Sequence, residues 1–141
     1  MTKEEVAKGY LSFLEEGKID KVIQLFTEDG IVVSPIYGTM VAKEFYYALA
    51  VDTKASKLNF DGLFVEENSN RISILFDYHW TLKSDEIIKF KVVDVIELTS
   101  DNKIEKLTII YDTVNVRMLC SMTKISYVWM LPFTLTLCNI G

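Results

Sequence analysis

The feature that most restricts the fold of this chain is a change of period. From Leu58 onward apolar and polar residues alternate over four segments, 58–66, 71–82, 87–99 and 104–114, a spacing that sends successive side chains to opposite faces of a strand. Before that point the apolar residues recur at helical spacing. Val6, Tyr10, Phe13 and Leu14 predict a helix over 3–16, stopped by Gly17. Val22, Ile23 and Phe26 predict a second, with Asp20 as its N-cap and Glu28-Asp29-Gly30 as its end, and Val41, Phe45 and Leu49 predict a third. Between the last two lies a brief β-branched run, Ile31-Val32-Val33, closed by Ser34-Pro35. The polar groups separating the strand segments are short and turn-like, so the strands should pair as an antiparallel meander. Helices first and strands after predict one α+β domain over residues 1–113, its N-terminal helices packed on a curved antiparallel sheet that forms a cone with an internal pocket.

Alternation in Phe90-Lys91-Val92-Val93-Asp94-Val95-Ile96-Glu97-Leu98 makes Asp94 the only polar member of its face. The strand before it turns Ile74, Phe76, Tyr78, Trp80 and Leu82 the same way, and the last strand offers Leu107, Ile109 and Tyr111. The expected pocket walls are Phe13, Phe26, Ser34, Tyr37 and Phe45 from the first half, with Phe76, Tyr78, Trp80, Phe90, Val92, Ile96 and Tyr111 from the sheet. A carboxyl in such surroundings loses hydration, so its pKa should rise unless a cation or several donors support the charged form. The plainer alternative is that Asp94 reaches water at a strand end or bonds a neighbouring tyrosine and is structural, and that Tyr10, on the core-facing stripe of the first helix, is packing. His79 and Asp77 share the opposite sheet face, as does Asp112. That face is expected to meet solvent or a second copy of the chain.

Charge and composition narrow the partners. A formal charge of -5, with no cluster of Lys or Arg, argues against nucleic acid. The N-terminus is charged and amphipathic rather than signal-like, which predicts a cytoplasmic protein. Cys120 and Cys138 have no metal-ligand spacing, and no phosphate-binding glycine loop, nucleophile elbow or HExxH pattern occurs, so neither metal nor cofactor is expected. Residues 114–141 form an apolar extension ending in an uncharged run from Ile125 to Gly141. That run is shorter than the ~20 apolar residues of a membrane helix and Pro132 interrupts it, so a membrane partner is not expected. It could dock on its own domain, dock on a partner subunit, or be foreign to the fold.

Tyr10 with Gly17-Lys18, the stretch Val22 to Gly30, Ser34-Pro35 with Tyr37-Gly38, and Val93 to Leu98 leading to Asn102-Lys103-Ile104 resemble the nuclear-transport-factor-2-like (cystatin-like α+β cone) superfamily, in its SnoaL-like and ketosteroid-isomerase-like branch. The resemblance covers residues 3–113. It implies a cone whose Tyr10 and Asp94 fall at the oxyanion-hole tyrosine and protonated aspartic acid of ketosteroid isomerases. Those enzymes carry their general base immediately before the proline after the first short strand, where this chain has Ser34. Losing a positioned base typically costs ~100- to 10,000-fold in rate. The resemblance therefore implies three readings. The first is binding of a small, mainly apolar molecule bearing a carbonyl or hydroxyl; the second is an isomerase-, cyclase- or dehydratase-type enzyme using Tyr10 and Asp94 as oxyanion donors. The third is a dimerisation module with a closed cone. A homodimer through the outer sheet face is expected in each case.

Overall fold

The computed structural model describes residues 1–114. The expectations for the apolar extension, Cys120 and Cys138 concern residues that lie almost wholly outside that range. Helix α1 (Lys3–Glu15) starts at a capping box: Thr2 Oγ1 accepts from the Glu5 amide at 3.1 Å, and Glu5 Oε1 accepts from the Thr2 amide at 3.0 Å. Val6, Ala7, Tyr10, Leu11 and Leu14 form its buried stripe. Gly17 then turns the chain at φ +71, a left-handed conformation that a side chain would strain.

Helix α2 (Ile19–Gln24) is shorter than the sequence predicts. Lys18, not Asp20, occupies the N-cap position, and Asp20 instead accepts from the Tyr47 hydroxyl at 3.0 Å. Phe26 is not helical; it opens strand β1 (Phe26–Ser34). The cause is a pairing distant in sequence: the Ile104 amide donates to Leu25 O at 2.9 Å, and Phe26 lies opposite Ile104. The stretch Glu28-Asp29-Gly30 is thus a register irregularity within the strand and not a helix end. Gly30 permits it, because a Cβ there would stand 3.0 Å from Ile104 O and 3.0 Å from the Phe26 ring.

Ser34 closes β1, and the chain returns as β2 (Gly38–Val41), a short strand that the sequence analysis did not anticipate. Helix α3 (Ala42–Asp52) follows. Strand β3 (Thr53–Val65) leaves it directly, five residues before the alternation becomes regular, and carries two register shifts. Strands β4 (Arg71–Leu82), β5 (Ile87–Leu98) and β6 (Ile104–Ile110) complete a six-stranded sheet of order β2-β1-β6-β5-β4-β3.

The meander β3 to β6 is antiparallel as expected, but β1 joins β6 in parallel, so the sheet is mixed. Its inner face buries Ile72, Ile74, Phe76, Trp80, Leu82, Ile96, Ile104 and Leu107 against the helices. Each such side chain contributes on the order of 1.5–3 kcal/mol by leaving water. Among the described residues no helix is long and apolar enough to cross a membrane.

Candidate functional site

Register sets the surroundings of Asp94. On β4 its partner is Ile74, and on β6 it is Ile109, so the carboxyl sits between two branched aliphatic side chains. It is 1% exposed. Burial raises its pKa from 3.8 to about 8, with the Tyr10 hydroxyl pulling the other way by supporting the ionised form. At pH 7 the neutral form therefore predominates. Among the described residues, Asp94 Oδ1 is the one buried side-chain oxygen or nitrogen with no hydrogen-bonding partner. A buried polar atom left unpaired costs on the order of 1–3 kcal/mol, so the fold holds this oxygen at a penalty.

Asp94 faces a cavity of about 50 Å³ that reaches from the core toward the surface. Tyr10, Phe76, Val92 and Asp94 form its buried end, whereas Leu49, Phe90, Ile109 and Tyr111 are half-buried and mark the open side. At ~10–15 Å³ of such space per water, it admits a few water-sized groups, well short of the ~300 Å³ of a drug-sized site. It is not packed shut.

Of the residues expected at the site, Tyr10, Ser34, Tyr37, Phe45, Phe76, Tyr78, Trp80, Phe90, Val92, Asp94 and Tyr111 line this cavity. Three do not. Phe26 is buried against Tyr46, their ring centroids 5.6 Å apart, because it belongs to β1. Phe13 lies outside the buried stripe of α1, with Lys21 Nζ 5.5 Å from its ring centroid. Ile96 points inward but lies deeper in the core, opposite Ile72 and Leu107. His79 and Asp77 stay on the outer face, where Lys91 pairs with Asp77 at 3.5 Å.

The polar groups form three sets. At the buried end, Tyr10 Oη and Tyr46 Oη are 2.9 Å apart, and burial raises both phenols well above their ordinary pKa. Near Ser34, the Tyr37 hydroxyl donates to Asp52 Oδ2 at 2.5 Å, both residues being buried. Ser34 Oγ accepts from the amides of Ile36 and Tyr37 at 3.2 and 3.3 Å, which fixes the turn that carries Tyr37 inward. On the sheet side, Tyr78 bonds Ser56 at 2.8 Å and Trp80 Nε1 donates to Thr53 Oγ1 at 2.8 Å. Burial pushes Tyr78 up to about 12. The rings of Tyr78 and Phe90 stack at 5.4 Å, and those of Phe90 and Tyr111 lie 4.5 Å apart.

Tyr46 and Asp52 were missed in the sequence, although a signal existed. Ala42, Phe45, Tyr46 and Leu49 stand at i, i+3, i+4 and i+7, and Asp52 follows Leu49 by three. Starting the stripe at Ala42 instead of Val41 brings Tyr46 into the core, and Asp52 lies one turn beyond Leu49 with either start. Among the described residues no group of three His, Cys, Asp or Glu side chains is placed to hold a metal ion.

No protein-family model matches the chain, and no curated protein matches it either. Solved structures do. PrhC from Penicillium brasilianum superposes with a TM-score of 0.75 at 14% identity, over 90% of this chain and 95% of that one. A hypothetical protein with a ketosteroid isomerase-like fold from Catenulispora acidiphila, in complex with trimethylamine, gives 0.71 at 13% identity, over 83% and 92%. SalBIII, described as an epoxide hydrolase/cyclase-like enzyme in pyran ring formation, gives 0.67 at 18% identity, over 78% and 90%. At such identities the likeness is one of fold. The helices, the mixed sheet and these neighbours together show that the chain has the nuclear-transport-factor-2-like, cystatin-like α+β fold.

Proposed function

We propose that this chain binds a small, mainly apolar molecule through a carbonyl or hydroxyl group that enters the cone and is held by Asp94 and Tyr10. The observation that carries the reading is Asp94 itself: a buried carboxyl, largely neutral at pH 7, whose Oδ1 has no partner among the described residues and which lines the cavity. A neutral acid donates a hydrogen bond, and the Tyr10 phenol beside it remains protonated throughout the physiological range. The cavity volume limits what is enclosed to a polar head of a few heavy atoms. The rest of the ligand would lie among Leu49, Phe90, Ile109 and Tyr111 at the open side.

Calorimetric titration with cyclic ketones and phenols tests this directly. Asp94→Ala should weaken ketone binding about tenfold, the value of one hydrogen bond to a buried group. In wild-type protein ketone affinity should fall as pH rises past about 8, and Asp94→Asn, which keeps a donor, should bind without that pH dependence. Ketone affinity unchanged in Asp94→Ala would refute the reading.

A second reading, an isomerase-, cyclase- or dehydratase-type enzyme, is favoured by the convergence of Asp94 and Tyr10, two donors suited to an enolate-like oxyanion. Ser34 supplies no base to it: its oxygen already accepts two backbone amides and a hydroxyl does not ionise near neutral pH. The proposal also includes a homodimer through the outer sheet face, supported by the exposed Phe64 and Ile110 and the half-buried Leu75, Val93 and Val95 that share that face.

A further inference from the structure

The cavity has a second polar end, and its hydrogen-bonding sense is opposite to that at Asp94. A phenol carries one proton. Tyr37 gives that proton to Asp52 Oδ2 at 2.5 Å, within a site where both residues are buried. What Tyr37 can still offer the cavity it lines is therefore the lone pair of its oxygen, made a better acceptor by donation to a carboxylate. Its turn is braced by Ser34 Oγ, and its ring packs edge-on against Phe45 at 5.4 Å, so it cannot readily swing away.

The two polar ends are separate. Asp94 projects from β5 between Ile74 and Ile109, whereas Tyr37 is carried by the turn that follows Ser34. Tyr78, on β4, lines the same cavity. A polar ligand head that enters the cavity thus meets donors, Asp94 and Tyr10, and an acceptor, Tyr37.

We propose that the Tyr37 hydroxyl, its proton committed to Asp52, is the acceptor of this cavity, and that the ligand is a small neutral hydroxy-carbonyl compound whose hydroxyl donates to Tyr37 while its carbonyl meets Asp94 and Tyr10. The carbonyl half rests on the function proposed above; the hydroxyl half stands on the Tyr37–Asp52 pair. Neither a simple ketone nor a simple alcohol satisfies both ends.

The test is calorimetric titration of the whole chain at pH 7 with toluene, benzaldehyde, phenol, the three hydroxybenzaldehydes and the three methoxybenzaldehydes. At least one hydroxybenzaldehyde should bind about tenfold tighter than benzaldehyde, one net hydrogen bond's worth. The corresponding methoxy compound should lose that gain, as should the hydroxy compound with Tyr37→Phe, each measured against benzaldehyde binding to the same protein. The methoxy comparison needs no variant and decides the matter even if Tyr37→Phe fails to fold. No gain for any isomer, a gain kept by the methoxy compound, or a gain kept in Tyr37→Phe would overturn the proposal. Failure of the carbonyl assignment shows separately, as benzaldehyde binding no tighter than toluene; the hydroxyl contribution is then read from phenol against toluene in wild type and Tyr37→Phe.

Discussion

Asp94 owes its properties to two neighbours that offer it nothing. Ile74 and Ile109 flank it across both pairings, and its Oδ1 is left without a partner among the described residues. The folded-state pKa, about 8, lies above the ordinary 3.8, so between these values the folded chain holds a proton that the unfolded chain has released. Stability must then fall as pH rises from about 4 to about 8, by up to about 1.4 kcal/mol per pH unit, and level off above. Asp94→Asn abolishes this dependence. Urea unfolding of both proteins at several pH values should show the variant gaining on wild type across that window; parallel curves would contradict it. This residue was legible in the sequence because strand alternation makes one misplaced polar side chain conspicuous. Asp52 was not, because its partner, the Tyr37 hydroxyl, lies 15 residues away and no periodicity marks that pairing.

At the scale of elements, local rules worked where pairing was local. The meander β3 to β6 and the first helix follow from alternation, turn residues and a cap. What failed was β1, whose start at Phe26 depends on Ile104, 78 residues away, and on the space that Gly30 leaves beside Ile104 O. Helical spacing at Val22, Ile23 and Phe26 carried no sign of that partner. Gly30→Ala should therefore destabilise the fold by about 1–3 kcal/mol, since the nearest obstacle is backbone and cannot rotate aside. A melting temperature equal to that of wild type would show that the close approach does not matter. On the outer face of the sheet, Phe64 and Ile110 are 57% and 53% exposed. Substituting both by Lys should convert a dimer to a monomer in light scattering with little change in folding, as exposed positions tolerate such changes. A monomer already in wild type would remove the dimer from the account.

The described residues form a cone that is closed enough to dry one carboxyl and open enough to admit a small group. Its closed end came from the sequence as a face, but its volume did not, because about 50 Å³ reflects how rings such as Phe76, Tyr78 and Phe90 lie against one another and not which residues are present. The catalytic reading is weakened by a single residue, Ser34, whereas the binding reading depends on the whole enclosure. That enclosure makes one claim testable without a ligand: Asp94 is a neutral acid at pH 7. Carbon-13 NMR of the side-chain carboxyls, with the Asp94 signal identified by its loss in Asp94→Asn, measures it directly. The account predicts a titration midpoint near pH 8, and a midpoint close to the ordinary 3.8 would contradict it.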